Sequence, residues 1–112
     1  MRDFTIRTIG AAITAATLGI AVAGGPPEFD VHLSCSAADR ALPRAGTDKS
    51  RADIRACLDD ERTARDALVK AWAGFAADAR ARCVGMNRTG GPPSYAELLT
   101  CLEVVRDARK RP

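Results

Sequence analysis

One histidine, His32, is all the imidazole that this 112-residue chain contains. It stands without a patterned serine, cysteine or carboxylate around it, so a Ser-His-Asp or Cys-His nucleophilic site has nothing to build on. Four cysteines are present, Cys35, Cys57, Cys83 and Cys101, yet no two form a Cys-x-x-Cys pair, which counts against both a zinc cluster and a thioredoxin-like redox site. There is no glycine-rich phosphate loop, nucleotide fingerprint or metal motif, and therefore no cofactor or metal is expected. Internal repeats and low-complexity tracts are also missing. Positive and negative side chains are interspersed along the chain apart from Arg109-Lys110-Arg111. No nucleic-acid-binding face is indicated, and a short basic tail of this kind reads as solvated.

What is there begins with Arg2 and Arg7, followed by an uncharged stretch from Thr8 to Gly25 that carries Ile9, Ile13, Leu18, Ile20 and Val22. A basic start ahead of an apolar run is the pattern of a secretory signal. At about 18 residues, many of them Ala, Gly and Thr, the run is barely long enough for a permanent membrane span. Ala21-Val22-Ala23 supplies the small residues read by signal peptidase, which predicts a signal peptide over 1–23 and a mature start near Gly24. Cys35 follows His32-Leu33-Ser34 well beyond the apolar run, so it lacks the setting of a lipid-modified cysteine. The expected product lies in the periplasm or outside the cell, with no stable membrane insertion after cleavage.

Removing residues 1–23 from the 112 leaves 89, enough for one domain with a modest core. With Arg2, Asp3 and Arg7 gone, 15 basic and 13 acidic side chains remain, a balance that selects no partner class. An even number of cysteines in a short exported chain predicts two structural disulfides, because small cores need staples.

Residues 24–49 are punctuated by Gly24-Gly25-Pro26-Pro27, Pro43 and Gly46 and read as an irregular segment with one short helix around 36–41. At Ser50 the pattern changes. Ser50-Arg51-Ala52-Asp53 resembles a capping box, and Ile54, Cys57, Leu58, Ala64, Leu68, Trp72, Phe75, Ala79 and Cys83 step by three or four apart from one wider gap. That stripe predicts one long helix from Ser50 to Val84, stopped by Gly85, with Gly74 as its internal weak point. Gly90-Gly91-Pro92-Pro93 reads as a turn. Ser94-Tyr95-Ala96-Glu97 is a better capping box, opening a helix with Tyr95, Leu98, Leu99, Leu102 and Val105 inward. The expected fold is all-α: a disulfide-stapled helical hairpin over 50–112 behind an irregular N-terminal segment.

Geometry narrows the cysteine pairing. In a continuous helix Cys57 and Cys83 would be about 39 Å apart, beyond the reach of a bridge unless Gly74 folds the helix back. Cys83 with Cys101 then staples the hairpin, and Cys35 with Cys57 pins the N-terminal segment.

Among residues able to carry chemistry, Asp59-Asp60-Glu61 places three carboxylates in a row, but consecutive helical residues point in different directions, and the run reads as a solvated face. Trp72 and Phe75 lie on the apolar stripe, which predicts core, with an exposed recognition pair as the alternative. Tyr95 is left open between packing under the turn and standing at a binding rim.

Taken together, Cys57-Leu58-Asp59-Asp60-Glu61, Ala64-Arg65, Leu68, Trp72-x-x-Phe75, Arg82-Cys83 and Pro93-Ser94-Tyr95-Ala96-Glu97-Leu98-Leu99-Thr100-Cys101-Leu102-Glu103 resemble a group of uncharacterised small bacterial proteins. The likeness covers residues 57–108 and implies a helical, cysteine-bearing unit without bringing an activity. More distantly, the cysteine-bearing amphipathic helices are similar to LprI-type lysozyme-inhibitor-like exported domains, although the Trp72 to Cys83 spacing departs from theirs. That likeness implies inhibition of an envelope enzyme such as lysozyme as one candidate role. Overall balance favours a binding or structural module of the cell envelope, with an envelope or extracellular protein as its expected partner, over an enzyme. A small hydrolase or redox protein is the competing class, and it would need a pocket holding His32, the acidic run or a free thiol.

Overall fold

The computed structural model describes residues 24–111, together with Gly10. The signal-peptide reading of 1–23 lies outside the described residues. Four helices follow one another: α1 (Val31–Arg40), α2 (Asp48–Ala71), α3 (Ala77–Asn87) and α4 (Tyr95–Lys110), with a 3-10 turn at Trp72–Gly74 between α2 and α3. Among the described residues no strand forms, and no helix is long and apolar enough to cross a membrane.

α1, α2 and α4 each start where a side-chain oxygen meets free N–H groups, whereas α3 follows Ala76 without a side-chain cap. The Asp30 carboxylate accepts from Leu33 N–H at 3.1 Å and opens α1. That helix, at 10 residues, starts earlier than the short one expected at 36–41 and orders the middle of the 24–49 segment read as irregular. Thr47, not Ser50, caps α2, its Oγ1 accepting from Ser50 N–H at 3.1 Å. Ser50 is buried one turn further in, where its hydroxyl donates to the Asp39 carboxylate of α1.

The expected single helix from Ser50 to Val84 is broken. α2 stops at Ala71, Trp72–Gly74 tighten into a 3-10 turn, and Phe75 and Ala76 are extended before α3 begins. The physical reason lies in α4, which packs on both α2 and α3. A straight helix over 50–84 would run about 52 Å, whereas α4 is about 24 Å long and would cover half of its apolar stripe. Breaking at the weak helix former Gly74 folds both halves onto α4. Ala64, Leu68, Trp72, Phe75, Ala79 and Cys83 then share one core with Tyr95, Leu98 and Leu102.

Nor does Gly85 end α3, which runs on to Asn87. The extra turn places Asn87 where its Nδ2 donates to Ser94 O at 3.0 Å and its Oδ1 accepts from Ser94 N–H at 3.3 Å. One side chain thus closes the loop between α3 and α4. Gly91, at φ 115°, takes the conformation in that loop that other residues resist.

Two disulfides staple the helices. Cys35–Cys57 ties α1 to α2, and Cys83–Cys101 ties α3 to α4, each with Cα atoms 5.8 Å apart. This is the expected pairing, although the straight helix used to exclude Cys57–Cys83 does not exist. The hairpin is the α3–α4 pair, with α2 packed on α4 and α1 attached to the N-terminal half of α2.

Candidate functional site

Trp72 and Phe75 are buried at 7% and 4% exposure, inside the core cluster. Both rings still take a cation at the rim: the Arg80 guanidinium lies 5.5 Å from the Trp72 ring centre, and that of Arg106 lies 5.6 Å from Phe75. These contacts cover the outer faces of the rings. Tyr95 is deeper still, at 2% exposure. Its hydroxyl accepts from Phe29 N–H at 2.9 Å, and the two rings are tilted at 38° with centres 4.7 Å apart. A single tyrosine therefore anchors the chain ahead of α1 to the start of α4. His32 is exposed on α1, at the edge of a hollow that it shares with Phe29, Arg65 and Tyr95.

The acidic run divides. Asp59 and Asp60 are exposed, but Glu61 is buried at 4% exposure, which corrects the reading of all three as a solvated face. Its carboxylate sits on the N-terminus of α4. Oε1 accepts from Ser94 Oγ at 2.5 Å and from Ala96 N–H at 3.3 Å, while Oε2 accepts from Tyr95 N–H at 2.7 Å. The expected reciprocal capping box is half present: Ser94 Oγ accepts from Glu97 N–H at 3.3 Å, but the Glu97 side chain is exposed and Ser94 N–H goes to Asn87. The Asn87 amide has taken the place of Glu97, and the Glu61 carboxylate of α2 serves the N–H groups that follow. Three donors and the positive end of the α4 dipole converge on it, an arrangement that holds α2 to α4. The sequence did carry a signal: the one wider gap in the apolar stripe, between Leu58 and Ala64, is the place Glu61 fills.

At the open end of the hairpin, Arg109 of α4 donates to both carboxylate oxygens of Asp78 in α3, at 3.2 and 2.7 Å. The pairing holds the Asp78 carboxyl below its ordinary range, chiefly through the hydrogen bond from Arg109. All four cysteines are in disulfides, so no thiol is free. Among the described residues, no group of His, Cys, Asp and Glu side chains converges as a metal site would require.

An open groove of about 820 Å³ runs between α3 and α4. Arg82 and Met86 form the α3 wall, Glu97, Thr100 and Val104 the α4 wall, and the Cys83–Cys101 staple lies beneath. Met86 and Val104, one on each wall, are 61% and 62% exposed. Sequence reasoning missed this surface, because the inward stripe of α4 accounts for Leu98, Leu102 and Val105 and draws attention away from Val104 beside them. The arrangement can hold an apolar partner. Comparison with protein-family models, with curated proteins and with solved structures gives no match to this chain.

Proposed function

We propose that the mature chain works outside the cytoplasm as a binding or structural module of the cell envelope, with the α3–α4 groove as its contact surface. The observation that carries this reading is the exposed apolar wall of Met86 and Val104, held at fixed spacing by the staple beneath it. Side chains of this kind gain free energy from being covered, and a rigid scaffold loses little entropy when that happens. Two disulfides favour an oxidising compartment, and the basic start with its Ala21-Val22-Ala23 site supplies the route to it.

A photo-crosslinking residue at Thr100, in a chain produced from Met1 in its host, tests the proposal. The expected result is an exported chain beginning near Gly24 that gives a discrete adduct, while the same residue at exposed Ala56 on α2 gives none. Retention of the intact chain in the cytoplasm, or equal and diffuse labelling from both positions, overturns it.

A further inference from the structure

We propose that the hollow between the chain ahead of α1 and the middle of α2 binds the carboxylate of a small apolar organic acid. It lies apart from the α3–α4 groove and needs none of the residues there.

The hollow measures about 300 Å³, the small end of the range for ligand sites. Phe29 and Leu58 give it an apolar side. Its polar side is made chiefly of donors. Arg62 and Arg65 line it from successive turns of α2, and His32 stands at its edge on α1. Tyr95, 2% exposed, is the deepest of the group. The tyrosine hydroxyl oxygen accepts from Phe29 N–H at 2.9 Å, yet its own proton goes to no acceptor among the described residues. A buried hydroxyl with an unused proton gains from any acceptor brought to it. The one carboxylate in the lining is that of Glu61, whose oxygens already receive Ser94 Oγ–H and the Tyr95 and Ala96 N–H groups. What remains uncompensated is positive.

The present partners of the two guanidiniums show which chemistry they take. Arg65 donates to Glu28 Oε1 at 3.0 Å and Arg62 to Asp59 Oδ1 at 3.4 Å, each a single bond between exposed side chains. Such pairs are worth little and leave most of each guanidinium's donors unused. The Arg65 pKa is held above its ordinary value first by the Glu28 hydrogen bond and next by the Tyr95 hydroxyl, so guanidinium and hydroxyl are neighbours. An incoming carboxylate can therefore replace Glu28 on Arg65 and also accept from Tyr95, a contact that Glu28 does not make. An apolar body behind it is covered by Phe29 and Leu58. Because both guanidiniums already share a carboxylate, the site matches one negative charge better than the two of a phosphate.

Phenylacetate is the probe, titrated into the purified mature chain with both disulfides intact and followed by backbone amide resonances. Saturable shifts should centre on Phe29, His32 and Arg65, with a Kd of about 1 mM or tighter, as expected of about ten non-hydrogen atoms. The neutral amide of the same acid and inorganic phosphate should each bind about tenfold more weakly, since one lacks the charge and the other the apolar body. Arg65→Gln should weaken phenylacetate about tenfold. Glu28→Gln should tighten it about two- to fivefold, because the resident carboxylate that the acid displaces is gone. Opposite signs at two exposed positions separate binding from loss of fold, and circular dichroism matching the wild type confirms both variants. N-acetyl-alanyl-phenylalanine distinguishes the sources of such a carboxylate: tighter binding than phenylacetate assigns the hollow to chain ends, the reverse order to free acids. No saturation up to about 20 mM, equal binding of the amide or of phosphate, an unmoved Arg65→Gln, or a Glu28→Gln variant that binds no tighter than wild type overturns the inference.

Discussion

Replacing Glu61 with alanine deletes the acceptor for Ser94 Oγ and for the Tyr95 and Ala96 N–H groups at once. Two of these donors are backbone groups of the first turn of α4, and the Tyr95 N–H lies in a buried hydrogen bond from which water is excluded. Leaving one such donor unsatisfied costs about 1–3 kcal/mol, and losing a cap about 1 kcal/mol. The helix dipole adds up to about 2 kcal/mol in partly buried geometry. Shared contributions do not add in full, so the expected loss is about 3–5 kcal/mol, a large part of the stability of so small a domain. Glu61→Gln keeps the shape and one acceptor but turns an amide NH2 toward backbone donors, and should lose about half as much. Urea unfolding followed by far-ultraviolet circular dichroism, with disulfides intact, measures both. Amide exchange at Tyr95 and Ala96 should also accelerate ahead of global unfolding, because the break is local to the start of α4. If Glu61→Ala stays within 0.5 kcal/mol of wild type, roughly the spread of neutral surface changes, the carboxylate is not the brace described here.

Trp72→Ala should destabilise the fold by about 3–5 kcal/mol in the same assay, since the ring is buried where α2 turns toward α3 and the core is too small to collapse around the cavity; a wild-type melt would refute it. Because Arg109 holds the Asp78 carboxyl below its ordinary range, this pair contributes to stability above the unfolded carboxyl pKa and loses that contribution as pH falls through the lower folded value. An NMR titration should therefore show the Asp78 midpoint rising toward the ordinary range in Arg109→Ala, and an unmoved midpoint would count against the pairing. Removing the Cys83–Cys101 staple with two alanines should cost about 3 kcal/mol, from the 18-residue separation it closes, while most helicity persists. A variant that unfolds at the wild-type urea concentration would show that the staple does not brace the hairpin.

Helices were legible wherever local chemistry decided them. The Ser94 cap, the inward stripe of α4 and the turn at Gly90–Pro93 all stand where spacing and capping chemistry put them. Tertiary competition decided the rest. Ser50 has the composition of a cap, but Thr47 lies one turn earlier, and the Asp39 carboxylate of α1 claims the Ser50 hydroxyl. Nothing within residues 48–51 announces that outcome. Trp72, Phe75 and Ala79 keep helical spacing straight through the break, so periodicity alone reads across it. The break becomes favourable when α4 supplies one short surface for two apolar half-stripes. Glu61 was misread for a related reason: a lone carboxylate on an apolar stripe looks like an interruption until the N–H groups of another helix arrive opposite it.

The same competition accounts for the surface left over. Inside the hairpin, α4 spends Leu98 and Leu102 on the core, and Glu61 together with the Asn87 bridge fixes its start against α2 and α3. The staple fixes its middle and the Arg109–Asp78 pair its far end. A helix held at three points along one side cannot rotate to hide Val104, and α3, held by Cys83 and Asn87, cannot rotate to hide Met86. Their exposure is therefore a consequence of the bracing, and relieving it by rearrangement would mean breaking the Glu61 cap, a disulfide or the Asn87 bridge. Covering the groove from outside, as the proposed binding role requires, would disturb none of these.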